Sequence, residues 1–576
     1  MRSEQLRELG AATLAACLLV VAMTWPIAAH IGTQVPANLQ DPLLQAWQVA
    51  WDGHALLHQP LHFFQANAFW PAPDSLAFSD ALVGYTPAGL LGSGAKAALV
   101  RYDVLFLFAY ALAFLGAYLL ARELGCRPAA AAVAGVAFAY APWRLTQSAH
   151  LHVLSSGGIP LSLALLGRGY RRGRPGLVVA GGLAATWQLA LGFTLGLQLS
   201  YLLLVLGVLF AVGWLRRGRP PIPRGLLVAS AAGAVLLVVV AGLLARPYLR
   251  VAAAHPEARR TVAEVKFYSP PAKGLLAAPA NDRIWGGVSR GILGPAGLST
   301  ENALFPGAVL LVLALLGLAA RTYSRALRVG LAAAVLLTAV LSLGFRVAGD
   351  LSPYRLLYEF APGWQAVRTP GRLTTLTLLA LALLAAAGAQ RLVRAAGQRG
   401  RAAGWILAAL LSASILLEGS GRVAHPVVPE RPAGFSPAAA PQLHLPSSAI
   451  ADPLYMYWST DGFPPLVNGY SGFDPRPLVA LRALSARFPD ARSVAYLRRL
   501  GVSSVVVHPA LPLAALARGT PQEDVASLQA IAPWRAAAAR PVTGLGLRRR
   551  VAGGGVVIFE LLGRPAPQPQ APPRNR

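Results

Sequence analysis

Long apolar runs recur along the first 419 residues, and they constrain the fold more than any other feature of the chain. Many approach or exceed about 18 residues, enough for a helix to cross the hydrocarbon core of a bilayer. Only 13% of the 576 residues are charged and 55% are hydrophobic, whereas a soluble domain carries about 25% charged residues. The chain reads as a polytopic α-helical membrane protein.

There are 51 Lys and Arg against 23 Asp and Glu, a formal charge of +28. Such an excess can mark a nucleic-acid binder, but here the arginines sit in short loops between apolar runs: RELGCR, RGYRRGRPG, RRGRPPIPR, RTYSRALR and QRLVRAAGQRGR. That is the positive-inside pattern, and it points to membrane lipids rather than nucleic acid as partners. Placing these loops inside gives about 11 spans, near 10–30, 103–121, 128–142, 151–168, 176–192, 194–214, 225–245, 304–320, 327–345, 371–390 and 403–418. The N-terminus then lies inside, and segments 31–102, 246–303 and 346–370 lie outside with the C-terminus.

Residues 81–100 are apolar but broken by Pro87 and several Gly and Ser, so they read as a juxtamembrane or re-entrant segment. Residues 11–30 resemble a signal peptide; the length of the span and those that follow make it an uncleaved anchor. The only cysteines, Cys17 and Cys126, outline neither a disulfide framework nor a Cys metal site.

The composition changes after Gly419. Residues 1–419 form the membrane domain, 420–447 a linker rich in Pro, Ala and Ser, and 448–562 a small extracytoplasmic α/β domain. Within that domain SVAYLRRLG suggests a helix ended by Gly501, VSSVVVHP a buried strand, and RRRVAGGGVVIFELL a closing hairpin. The Pro-rich tail 563–576 reads as disordered.

The first outer loop, 31–80, contains no Lys or Arg, but has Asp41, Asp52, Asp74, Asp80 and three tryptophans. On its own, Asp41 before Pro42 is a favoured helix start, and a capping role is the simplest reading of that pair. The helix that follows places Leu43, Trp47 and Trp51 on one face, as in an amphipathic helix at the membrane interface. Asp41 and Asp52 are about 16 Å apart by helix rise, too far to act on one bond. His54, His58 and His62 recur every four residues, but Pro60 interrupts their helix and no metal site is indicated.

In order, WQVAWDGHALL, NAFWPAPDSLAFSD, RLTQSAHLHVLSSGGIPL, ENALFPG and PGWQAVRTPGRL resemble the GT-C superfamily of membrane glycosyltransferases. That superfamily includes protein O-mannosyltransferases and aminoarabinose transferases. YMYWSTDGFPPLVNGYSGF is most similar to a bacterial branch with a C-terminal outer domain.

The resemblance implies a polyprenyl-phosphate-linked sugar as donor, an envelope glycan, lipid or protein as acceptor, and a site at the outer face of a bacterial cytoplasmic membrane. It makes Asp41 the catalytic carboxylate, a general base for the acceptor hydroxyl. Arg368 and Arg372, at the mouth of a span, would bind the lipid phosphate, although a snorkelling pair reads equally well. Gln147, His150 and Glu301 are further substrate-binding candidates; helix-end hydrogen bonding is the plainer role for the histidine. The NGYSGF stretch could bind sugar or be a packed turn. The family has metal-dependent and metal-independent members, and no cofactor is indicated here. Two other readings are a carrier or flippase of lipid-linked material and a non-catalytic envelope scaffold. Against an ion-coupled carrier, span centres such as 105–118 and 304–318 lack Asp, Glu, Lys and Arg.

Overall fold

The computed structural model describes residues 2–294, 300–347, 351–432, 438–511, 516 and 534–563. The tail read as disordered lies outside these residues apart from Gly563.

Eleven apolar helices occupy the eleven regions read as spans. They are α1 (Arg2–Met23), α3 (Gly94–Glu123), α4 (Pro128–Tyr140), α5 (Gly158–Arg171), α6 (Pro175–Leu191), α7 (Phe193–Arg216), α8 (Arg224–Ala254), α9 (Ala308–Ala319), α10 (Arg325–Ser342), α11 (Thr374–Gly397) and α12 (Arg401–Glu418). Among the described residues, seven helices are long and apolar enough to cross a membrane. The shortfall has a geometric reason. At 1.5 Å per residue, helices of 12 to 17 residues such as α9, α4, α5 and α6 reach only about 18–26 Å. Residues 81–93 hold only short turns, and α3 starts at Gly94, nine residues earlier than the apolar pattern suggests.

The core of the bundle is α3, α4 and α11. Buried protein contacts cover 78% of the apolar window of α11, against 6% of that of α10 and 11% of that of α8. Small residues make this packing possible: a Cβ at Gly317 on α9 would meet the Leu384 carbonyl oxygen at 1.9 Å, and one at Gly388 on α11 the Leu313 carbonyl oxygen at 2.1 Å.

The juxtamembrane helix α2 (Asp41–His58) does not lie at an interface with one wet face. Every residue from Pro42 to Gly53 is buried, because α3 packs on one side and α13 (Asp452–Trp458) of the C-terminal domain on another. Its tryptophans are satisfied within the protein: Trp47 Nε1 donates to Asn67 Oδ1 at 2.9 Å and Trp51 Nε1 to the Phe63 carbonyl at 3.0 Å.

The C-terminal domain has a four-stranded sheet of β1 (Gln442–Leu445), β2 (Ser504–Val507), β3 (Leu547–Val551) and β4 (Val557–Leu561) in the order β1-β2-β4-β3. Strand β1 runs parallel to β2, and β4 is antiparallel to both its neighbours. Helices α14 (Arg476–Ser485) and α15 (Ala491–Arg499) lie between β1 and β2 in the chain, and Asp490 with Ser493 forms a capping box at the start of α15. Strand β1 lies inside the stretch read as a linker. Residues 424–428 of that stretch are also tied down, with Ala37 N donating to the Ala424 carbonyl at 2.8 Å and Val428 N to that of Thr33 at 2.9 Å. Proline and alanine mark it as linker-like in sequence, yet its backbone pairs with the first loop.

Candidate functional site

Asp41 is the first residue of α2, with Pro42 behind it; Gln40 occupies the capping position and no side chain caps the helix. The carboxylate is thus free of the structural duty that its dipeptide suggests. Its Oδ2 lies 3.3 Å from His150 Nε2, and its Oδ1 accepts from the Tyr470 hydroxyl at 3.2 Å. Burial pushes this carboxyl up, but the His150 and Tyr470 hydrogen bonds and the charge of Arg372 bring it below the usual aspartate value.

These groups line a cavity of about 260 Å³ walled by α2, the 77–80 turn, the start of α7, the turn before α11, the end of α8 and the 470–473 loop. Asp80 enters from the first loop, where Gln48 Nε2 donates to its carbonyl at 2.8 Å and the Tyr248 hydroxyl to that of Ser79 at 3.0 Å. Its Oδ1 accepts from Phe193 N at 2.5 Å. Burial raises the Asp80 carboxyl despite that bond and the charges of Arg372 and Arg260.

Three arginines face the two aspartates. Arg372, in the turn before α11, donates to His152 Nε2 at 3.0 Å and pairs with Glu301 at 3.2 Å. Guanidinium can only donate, so His152 Nε2 is the accepting nitrogen. Burial, followed by the charges of Arg372, His150 and Arg368, holds His152 well below the usual histidine range. Arg368 stacks over Tyr268, 4.6 Å from its centroid, and donates to the Gly472 carbonyl at 3.2 Å. Arg260 donates to that same oxygen at 3.1 Å and pairs with Glu264 at 2.9 Å.

Of the residues singled out in the sequence, Asp41, His150, Arg368 and Arg372 meet at this cavity. Glu301 stands behind Arg372 rather than on the wall. Gln147 is not part of it: it is wholly buried, and its Nε2 donates to Thr146 Oγ1 at 2.8 Å. Asp52 is also buried elsewhere, with neither oxygen hydrogen-bonded. His54 and His58 stack on each other 4.4 Å apart, and among the described residues no three His, Cys, Asp or Glu side chains converge as a metal-holding group.

Sequence reasoning did not single out Asp80, His152, Arg260 or Tyr470 as parts of one site. Asp80, His152 and Tyr470 lie in stretches that the sequence marks, Tyr470 within NGYSGF, but none of these stretches points to the others, and Arg260 reaches the cavity only through tertiary packing.

A helix bundle with a polar cavity covered by a small α/β domain is a fold that this chain shares with a solved membrane glycosyltransferase of GT-C type. Among solved structures, the chain is similar to the arabinofuranosyltransferase AftD from Mycobacteria, with a TM-score of 0.55 and 16% identity over 97% of this chain and 42% of that one. It thus spans less than half the length of AftD, and at this identity the likeness shows a shared fold. Looser similarity extends to the oligosaccharyltransferase of Archaeoglobus fulgidus (TM-score 0.42, 14% identity, 91% and 70% covered). ArnT from Cupriavidus metallidurans is also similar (TM-score 0.36, 14% identity, 95% and 98% covered). No family description and no curated protein matches the sequence.

Proposed function

We propose that this protein is a membrane glycosyltransferase that moves a sugar from a polyprenyl-phosphate carrier to an acceptor hydroxyl at the outer face of the cytoplasmic membrane. The observation that carries the reading is the Asp41 carboxylate: uncommitted to its helix, held ionised by His150 and Tyr470, and facing the same cavity as Arg260, Arg368 and Arg372.

In the proposed reaction Asp41 takes the proton of the acceptor hydroxyl as its oxygen attacks the anomeric carbon. The bond from that carbon to the phosphate oxygen breaks, and polyprenyl phosphate leaves with the electron pair. Arginines suit this role, because guanidinium hydrogen-bonds phosphate oxygens and stabilises the charge that develops on them. The cavity borders α7, α8 and the turn before α11, so a lipid tail can stay among the helices while its phosphate reaches the arginines. The C-terminal domain covers the cavity and, on this reading, is extracytoplasmic.

The test is transfer by protein reconstituted in vesicles, with a polyprenyl-phosphate-linked sugar and envelope acceptors. Asp41→Asn and Asp41→Ala should insert normally and lose transfer. Full activity in either variant removes Asp41 from the role. Sugar crossing the vesicle unchanged in chemistry would instead mark a carrier.

A further inference from the structure

One short loop of the C-terminal domain touches both halves of the cavity. In Asn468–Phe473 the Tyr470 hydroxyl reaches Asp41 at 3.2 Å. Two residues on, the Gly472 carbonyl accepts from Arg260 at 3.1 Å and from Arg368 at 3.2 Å. The loop fits against the first loop because two of its residues lack side chains. A Cβ at Gly469 would meet the Phe69 ring at 2.4 Å, and one at Gly472 the Phe78 carbonyl oxygen at 2.8 Å.

Beneath the loop is a buried ionic cluster outside the cavity. Asp452, wholly buried, pairs with Arg482 at 2.9 Å and accepts from Asn468 Nδ2 at 2.8 Å. Arg482 also donates to the Gly469 carbonyl at 3.0 Å and binds Asp474 at 2.5 Å. Both ends of the loop are therefore fastened to one ion pair. Burying two charges is costly unless their remaining hydrogen-bonding capacity is met, and here much of it is met by the loop.

We propose that Asn468–Phe473 is the positioning element of the transfer site, with Tyr470 orienting the Asp41 carboxylate, Gly472 spacing Arg260 and Arg368, and the Asp452–Arg482 pair holding the loop in register. The C-terminal domain is on this view part of the reaction centre rather than an appended binding module. The inference rests on Asp41 as the base. Besides Tyr470, the groups facing that carboxylate are His150 from the 147–150 turn, Arg372 before α11 and Tyr102 of α3.

The test compares Tyr470→Phe, Arg482→Ala and Arg482→Lys in full-length reconstituted protein, reading kcat, donor KM and the pH–rate profile. Tyr470→Phe should lower kcat about tenfold, the scale of one hydrogen bond to a charged group, leave donor KM unchanged and move the acidic limb to higher pH. Arg482→Ala should shift the limb the same way and also raise donor KM, with Arg482→Lys partly restoring both. A Tyr470→Phe enzyme with wild-type kcat and pH profile overturns the proposal, as does an Arg482→Ala protein that loses only folded yield. Should Arg482→Ala fail to fold, Tyr470→Phe decides alone. Retained transfer in Asp41→Asn is a separate result, which removes the base rather than the loop.

Discussion

His150 Nε2 stands 3.3 Å from Asp41 Oδ2, and this contact opposes the burial that would otherwise protonate the carboxyl. A base must be unprotonated to act, so activity dependent on Asp41 persists above its lowered pKa and is lost as pH falls through it. His150→Ala removes the largest stabilising contact while burial remains, and the acidic limb should move to higher pH. At neutral pH kcat should drop about tenfold, as expected for one charge-assisted hydrogen bond. A pH–rate profile of the variant checks both; an unmoved limb would detach His150 from the base.

The sequence reveals the membrane class well because apolar length and arginine placement are local properties, and all eleven apolar regions are helices. Span number was less legible, since pattern marks hydrophobicity but not where a helix breaks: 151–168 is divided at Ser155–Gly157 between a four-residue turn of helix and α5. At the site, Asp41 and Arg372 could be read from their place beside spans. Gln147 shares a motif with His150 but is buried away from the cavity, its amide bonded to Thr146. Tyr470 and Arg260 lie 429 and 219 positions from Asp41, a separation that no local pattern bridges.

Asp52 offers a test of the fold apart from activity. Burial drives its carboxyl well above the usual aspartate range, and neither oxygen has a partner. A raised folded pKa means that its contribution to stability is full below the unfolded value of about 3.9 and is lost as pH rises toward the folded one. Asp52→Asn has no proton to lose. Its melting temperature should therefore gain on wild type as pH is raised from about 5 to 8, with transfer unchanged. A constant difference across that range would contradict this account.

Glu418 ends α12 and caps the start of α9. It accepts from Ala308 N at 3.0 Å, Val309 N at 2.9 Å and Trp285 Nε1 at 3.1 Å. Negative charge at a helix start is favoured, and here three partly buried donors depend on one side chain. Glu418→Ala should cost roughly 2–4 kcal/mol, since stranded donors cost about 1–3 kcal/mol each and neighbours relax. Glu418→Gln, which keeps one acceptor, should cost less. Thermal unfolding in detergent measures both, and an Ala variant as stable as wild type would show that water replaces the cap.

Arg372 combines a stability role with the proposed phosphate role, and the two can be separated. Its guanidinium pairs with Glu301 at 3.2 Å, both side chains largely buried. Arg372→Ala leaves Glu301 without this partner, so it should lower stability and transfer together, because a buried charge stripped of its partner is strongly destabilising. Adding Glu301→Gln removes the stranded charge and should restore much of the melting temperature. Transfer should stay low in the double variant, with donor KM raised about tenfold or more, since the phosphate contact is still absent. Arg368→Ala breaks no ion pair among the described residues and should raise donor KM with little change in melting temperature. Recovery of transfer along with stability in the double variant would reassign Arg372 to a purely structural role and leave Arg260 and Arg368 as the cations available to a donor phosphate.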